Sequence, residues 1–189
     1  SFLQRFLPEF EKAEKEFGVP KEIIAAIIGI ESSYGSITGR ERVIDSLSTL
    51  AFDYPRRSKF FTKQLEHFLL LTREEKLDPL VMKGSYAGAM GYGQFIPSSY
   101  RSYAIDFDDD GIRNIVTNPI DAIGSVANYL SKHGWERNAT IAEALTKNDV
   151  NSNFKTSLSL KEPDALELAS KINLPNKKYL QINFEDKEF

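Results

Sequence analysis

The segment KEIIAAIIGIE, residues 21–31, most narrows the folds open to this chain. Ile23, Ile24, Ile27, Ile28 and Ile30 leave a helix apolar on most of its sides, the pattern of a central helix with protein packed around it. Pro20 suits the start of such a helix. Glu31 ends the run, four residues after Ile27, three after Ile28 and seven after Ile24, so its side chain is expected to leave from the apolar face, half buried. Desolvation raises a carboxyl pKa, which suits a general acid working near neutral pH. Two plainer readings stand beside this one: a structural ion pair with Arg40 or Arg42, and a helix end turning into solvent.

Helical periodicity extends over much of the chain. Phe2, Leu3, Phe6, Leu7, Phe10 and Phe17 form a stripe that Gly18 can terminate. DSLSTLAF, residues 45–52, reads as a short helix, and Phe60, Phe61, Leu65, Phe68 and Leu69 mark a long one after Tyr54-Pro55. Asn118-Pro119-Ile120-Asp121 carries a cap, a first-turn proline and an acidic residue at the positive end of the dipole. Ile120, Ile123, Val126, Ala127 and Leu130 would be that helix's buried face, ended by Gly134. From about residue 136 the composition turns polar, with strand candidates at 155–160 and 179–184 and one helix at 163–171. The expected architecture is mainly α: a helical core over residues 1–135 and a small α+β subdomain over 136–189.

The 189 residues, 41% hydrophobic, suffice for one sizeable core, and a net charge of −3 without a basic stripe argues against nucleic acid as a partner. The chain has no cysteine, which removes disulfides, thiolate metal sites and a cysteine nucleophile. Its apolar runs fall short of the about 18–20 residues that cross a bilayer, and no membrane anchor is visible in it. His67 and His133 lie apart and outside any metal motif, though His133 is well placed to favour a helix C-terminus. Arg56-Arg57-Ser58-Lys59 reads as a solvated helix start or a face for an anionic polymer.

Two further stretches carry chemistry. GSYAGAMGYGQFIPSSY, residues 84–100, combines close-packing glycines with Ser85, Tyr86, Tyr92, Gln94 and Tyr100, the hydroxyl, amide and aromatic set that grips neutral sugars. A tight helix crossing with core aromatics would use the same residues. The second, Asp106-Phe-Asp108-Asp-Asp110-Gly111, is the first half of an EF-hand loop, with oxygen ligands at one, three and five and glycine at six. Thr117 occupies position twelve, where a bidentate Glu is usual, so closure would fall to another group such as Asp121, with the Ile112 carbonyl in seventh place. Calcium, sodium or an empty loop all fit these residues.

Taken together, IESSYGSITGRERVIDSLSTLAFDYPRR, KGSYAGAMGYGQFIPSSYRSYAIDFDDDG and NPIDAIGSVANYLSKHGW resemble the membrane-bound lytic murein transglycosylases of the B type, lysozyme-like enzymes of bacterial peptidoglycan. The resemblance runs from about Phe17 to Trp135. It implies a lysozyme-like catalytic domain in which Glu31 is the catalytic acid and base, Ser85 and Gln94 adjoin it, and Met90, Tyr92, Phe95 and Tyr129 shape the substrate groove. It also implies a structural calcium ion on Asp106, Asp108, Asp110, the Ile112 carbonyl and Asp121, with no cofactor required for the chemistry. The implied reaction cleaves the bond between N-acetylmuramic acid and N-acetylglucosamine, leaving a 1,6-anhydro sugar. The expected partner is the glycan strand of peptidoglycan, the expected location the periplasm and the expected state a monomer; a binding module without turnover is the alternative. The family further implies a tyrosine- and asparagine-rich stretch completing the groove, which is not found before Phe189.

Overall fold

The computed structural model describes residues 1–139, which form one compact unit. The strand candidates at 155–160 and 179–184 and the helix at 163–171 lie outside the described residues. Seven helices occur among the described residues: α1 (Phe2–Arg5), α2 (Leu7–Phe17), α3 (Lys21–Ser32), α4 (Val43–Asp53), α5 (Ser58–Glu74), α6 (Pro97–Tyr103) and α7 (Pro119–Lys132). A 3-10 turn at Pro55–Arg57 leads into α5, and two short strands, β1 (Glu41–Arg42) and β2 (Lys83–Gly84), form an antiparallel ribbon. The mainly helical architecture is as expected.

Three local expectations need correction. The N-terminal stripe is two helices, because Pro8 has no N–H to continue the ladder and α2 restarts with it in the first turn. Gly18 does end α2, in a left-handed conformation (φ 73°) that spares a Cβ. The second correction concerns the centre of the fold. The helix surrounded on all sides is α7, where every residue from Asp121 to Asn128 is buried, whereas α3 leaves Ile30 82% exposed. Small residues explain this: a Cβ on Gly124 would lie 2.3 Å from the Phe107 ring, so only glycine lets that ring close on the helix. The third correction is the short helix α6, which periodicity within 84–100 did not announce.

Packing against α7 are α2, α3 and α6, while α4 and α5 form a hairpin of their own. Phe10, Ile24, Ile28, Leu47, Phe68, Leu71, Ile115 and Ile123 belong to one buried cluster. Tyr100 is buried there and donates its hydroxyl to the Arg113 carbonyl at 2.6 Å; burial pushes its pKa up, which keeps it a donor. Asn118 caps α7 by accepting from the Ile120 amide, as its sequence position predicted, and His133 caps the other end. None of the helices among the described residues is long and apolar enough to cross a membrane.

Candidate active site and metal loop

Glu31 occupies the last turn of α3, and it is exposed, which corrects the expected half-burial. The stripe that turns inward is Ile24, Ala25, Ile28 and Ser32, so the residue after Glu31, not Glu31 itself, continues the buried face. Arg42 pairs with Asp45 at 2.6 Å, and the Glu31 side chain makes no ion pair or hydrogen bond among the described residues. The structural ion pair with Arg40 or Arg42 is therefore not formed there.

Ser32 is 1% exposed and organises the turn that follows. Its Oγ accepts from the Gly35 amide at 3.0 Å and lies 2.8 Å from the Tyr92 carbonyl and 3.1 Å from that of Ile28, its proton favouring the nearer. Ser33, Tyr34 and Gly35 all have positive φ (49°, 57° and 83°), a conformation that costs energy at the two non-glycine positions and persists because neighbours hold it. Tyr34 stacks on Phe2 with ring centroids 5.2 Å apart. The Tyr92 ring lies over Gly35, where a Cβ would come within 2.2 Å of it.

The same closeness joins the rest of the two segments. Gly39, at φ 103°, sits against Gly84 so tightly that a Cβ would fall 1.9 Å from the Gly84 carbonyl carbon, and Glu41 then pairs with Gly84 across the ribbon. Residues 31–42 and 83–95 thus lie side by side, bringing the segments of Glu31, Ser85, Tyr92 and Gln94 together. Gln94 directs its amide nitrogen to the carbonyls of Gly91 (3.0 Å) and Thr38 (3.2 Å), leaving Oε1 as an acceptor without a partner among the described residues. Ser85 Oγ accepts from the amides of Ala89 (3.1 Å) and Ala87 (3.3 Å), which leaves its proton to donate.

The other expected groove residues divide. Tyr92 and Tyr129 are half-buried, whereas Phe95 is only 6% exposed and packs beside Tyr129 at a centroid distance of 5.4 Å, which corrects its expected place lining the groove. Met90 is fully buried, which corrects its expected place on the groove wall; it bridges to Phe95 through the backbone and supports the loop from within. The glycines of this stretch provide close packing, at Gly84 against Gly39 and at Gly88 against Leu47.

In the acidic loop, carboxylate oxygens of Asp106, Asp108 and Asp110 lie within 4.8 Å of one another. Ligands sharing one calcium ion at about 2.3–2.6 Å can be separated by no more than twice that distance, so the three fit such an ion. Asp106 accepts from the amides of Asp110 and Gly111, and Asp110 from that of Ile112. Ile112 is 50% exposed. Asp121, expected to close the site, is not among the three converging carboxylates; it is fully buried and accepts from the Phe107 amide at 2.8 Å and the Asn114 amide at 2.7 Å, which makes it a clamp across the loop. Burial pushes its pKa up, against those two hydrogen bonds.

Sequence reasoning missed Ser32 and the second role of Asn118, whose side-chain amide also donates to Asp108 at 2.9 Å. A serine four residues after Ile28 was the available signal for the first. His67 lies 2.7 Å from an Arg101 nitrogen, beside the Arg101–Glu74 ion pair, and belongs to no metal-binding cluster among the described residues.

A mainly helical, lysozyme-like fold in which the turn after Glu31 is joined to a glycine-rich loop is what a lytic transglycosylase would present. The family model described as "Transglycosylase SLT domain" matches residues 1–182, and the chain belongs to that family. It is 45% identical over 177 residues to the membrane-bound lytic murein transglycosylase B of Escherichia coli (strain K12), covering 93% of this chain and 49% of that protein. The chain thus spans about half the length of its curated relative. Among solved structures it is similar to the Escherichia coli lytic transglycosylase Slt35 in complex with calcium (51% identity, TM-score 0.72, 74% of this chain and 44% of that one). It is also similar to SltB3 from Pseudomonas aeruginosa in complex with NAG-anhNAM-pentapeptide (40% identity, TM-score 0.69, 72% and 36%).

Proposed function

We propose that this chain is a lytic transglycosylase that cleaves the β-1,4 bond between N-acetylmuramic acid and N-acetylglucosamine in peptidoglycan, with Glu31 as acid and then base. The observation that carries the reading is the joining of the Glu31 turn to the glycine-rich loop through Ser32 and Tyr92. Membership of the transglycosylase SLT family and the anhydro-sugar ligand of the relative SltB3 support it.

Most glycosidases use two carboxylates. The resemblance supplies one, so Glu31 serves twice. In its protonated form it donates to the glycosidic oxygen as the bond to C1 breaks and the N-acetylglucosamine hydroxyl leaves. The carboxylate so formed accepts the proton of the muramoyl 6-hydroxyl as that oxygen bonds to C1. The product is the 1,6-anhydro sugar, Glu31 is protonated again, and no water is consumed. Exposure on the free chain is compatible with this if the bound glycan itself removes water from Glu31.

The donor left on Ser85 and the acceptor left on Gln94 are complementary to the carbonyl and N–H of one acetamido group, and they would hold the sugar by it. Tyr92 and Tyr129 would supply apolar faces for the sugar rings, with Phe95 and Met90 behind them. Asp106, Asp108, Asp110 and the Ile112 carbonyl would hold calcium, with Asp121 closing the loop; the ion would brace the segment entering α7 and take no part in the chemistry. Peptidoglycan is the partner in this reading, and the periplasm the compartment.

The test is mass spectrometry of purified peptidoglycan digested with the chain and with Glu31→Gln. Anhydromuropeptides from the first alone support the proposal. Hydrated reducing ends would replace it with a hydrolase, and no product from either would leave a binding module.

A further inference from the structure

Tyr129 is given a groove role by resemblance, yet a half-buried tyrosine serves a sugar only if its ring is held in one orientation. Three side chains surround that ring. Phe95 and Tyr103 approach it at 5.4 and 5.3 Å, tilted by 53° and 86°, and His133 stacks on it at 3.9 Å with an interplanar angle of 23°. His133 also meets Tyr103 edge-on at 4.8 Å.

His133 is itself tied down, although its side chain is exposed. Its backbone N–H donates to the carbonyls of Leu130 (3.0 Å) and Tyr129 (3.1 Å), and its ring Nδ1 lies 2.7 Å from the Tyr129 carbonyl. A carbonyl can only accept, so in this contact Nδ1 carries a proton and the ring is held by it. One residue therefore grips Tyr129 twice, at its carbonyl through Nδ1–H and at its ring through the stack. A helix cap needs neither contact, because the His133 backbone N–H already provides it.

We infer that His133 is a positioning residue of the substrate groove, setting the orientation in which Tyr129 presents its ring to a sugar. The inference rests on the transglycosylase reading, specifically on Tyr129 touching the glycan. An aromatic ring in place of the imidazole should preserve the stack, whereas an amide should preserve only the hydrogen bond.

The experiment compares the full chain with His133→Ala, His133→Phe, His133→Asn and Tyr129→Ala, using a purified glycan of alternating N-acetylglucosamine and N-acetylmuramic acid carrying its peptides. Loss of the stack should raise KM about three- to tenfold in His133→Ala and His133→Asn, with kcat changed less than about twofold. His133→Phe should restore KM to within about twofold of the parent. The Tyr129 ring resonances should shift in His133→Ala and His133→Asn without any ligand. An unchanged KM in His133→Ala beside a raised KM in Tyr129→Ala would overturn the inference and leave the function standing. An unchanged KM in Tyr129→Ala would remove Tyr129 from the groove and overturn the inference with it. If no variant and not even the parent turns over glycan, the function itself fails, and unchanged Tyr129 ring resonances in His133→Ala would overturn the brace by themselves.

Discussion

The hydroxyl of Ser32 lies 2.8 Å from the carbonyl of Tyr92, sixty residues away in sequence, and is the direct link between the helix of Glu31 and the loop of Ser85 and Gln94. The same oxygen accepts from Gly35. Removing it in Ser32→Ala strands a donor and an acceptor in a site that is 1% exposed, which should cost about 1–3 kcal/mol of stability. Urea unfolding would measure this. Turnover by the folded fraction should fall as well, because the turn that follows Glu31 loses its anchor, whereas Ser33→Ala, at an exposed position beside it, should change stability by less than about 0.5 kcal/mol.

Glu31→Gln separates chemistry from folding. The side chain is exposed and has no ion pair among the described residues, so the unfolding free energy should stay within about 0.5 kcal/mol of the parent. The amide can neither donate the first proton nor accept the second. Release of anhydro product should therefore drop by at least the about 10²–10⁴-fold typical of a lost acid or base. Product release measured beside a melting curve checks both halves.

How far the site was legible depends on what each feature rests upon. The acidic loop and the Asn118 cap were readable, because ligand and cap spacings are local and survive in one dimension. The exposure of Glu31 was not. A shift of one residue along α3 moves the buried stripe by about 100°, and a serine at position 32 weighs less in an apolar count than the isoleucines before it. Isoleucines likewise made α3 look central, while the helix enclosed on all sides is α7, whose Ala122, Gly124, Ser125 and Ala127 signal closeness rather than hydrophobicity. The ribbon of β1 and β2 was beyond periodicity altogether, since two residues a side have no period.

Gly39 decides whether that ribbon forms. At φ 103° it occupies a conformation unfavourable to any side chain, and a Cβ there would overlap the Gly84 backbone at 1.9 Å. Strain and collision add, so Gly39→Ala should destabilise by about 3 kcal/mol or more. Gly111, also at positive φ (91°) but with nothing within 4 Å of the added carbon, should suffer only the conformational part, about 1–2 kcal/mol. Thermal unfolding of the two alanine variants without added metal would separate crowding from backbone strain.

Calcium supplies the last prediction, and the loop's own hydrogen bonds indicate where to cut. Asp106 accepts from two backbone amides, so changing it would disturb the loop even without metal. Asp108 has one described partner, the Asn118 side chain, which makes Asp108→Ala, with no oxygen left to ligate, the cleaner probe. With calcium at a hundred times its dissociation constant, a site absent from the unfolded chain stabilises by about 2.7 kcal/mol. At about 2–4 °C per kcal/mol for a chain of this size, the parent's midpoint should rise by several degrees and return when the ion is chelated. Asp108→Ala should show little of that rise at the same calcium concentration. If turnover below the melting range is the same with and without the ion, calcium braces the fold. A parent whose midpoint ignores calcium would remove the metal from the proposal and leave Asp121, with its two backbone hydrogen bonds, as the loop's clamp.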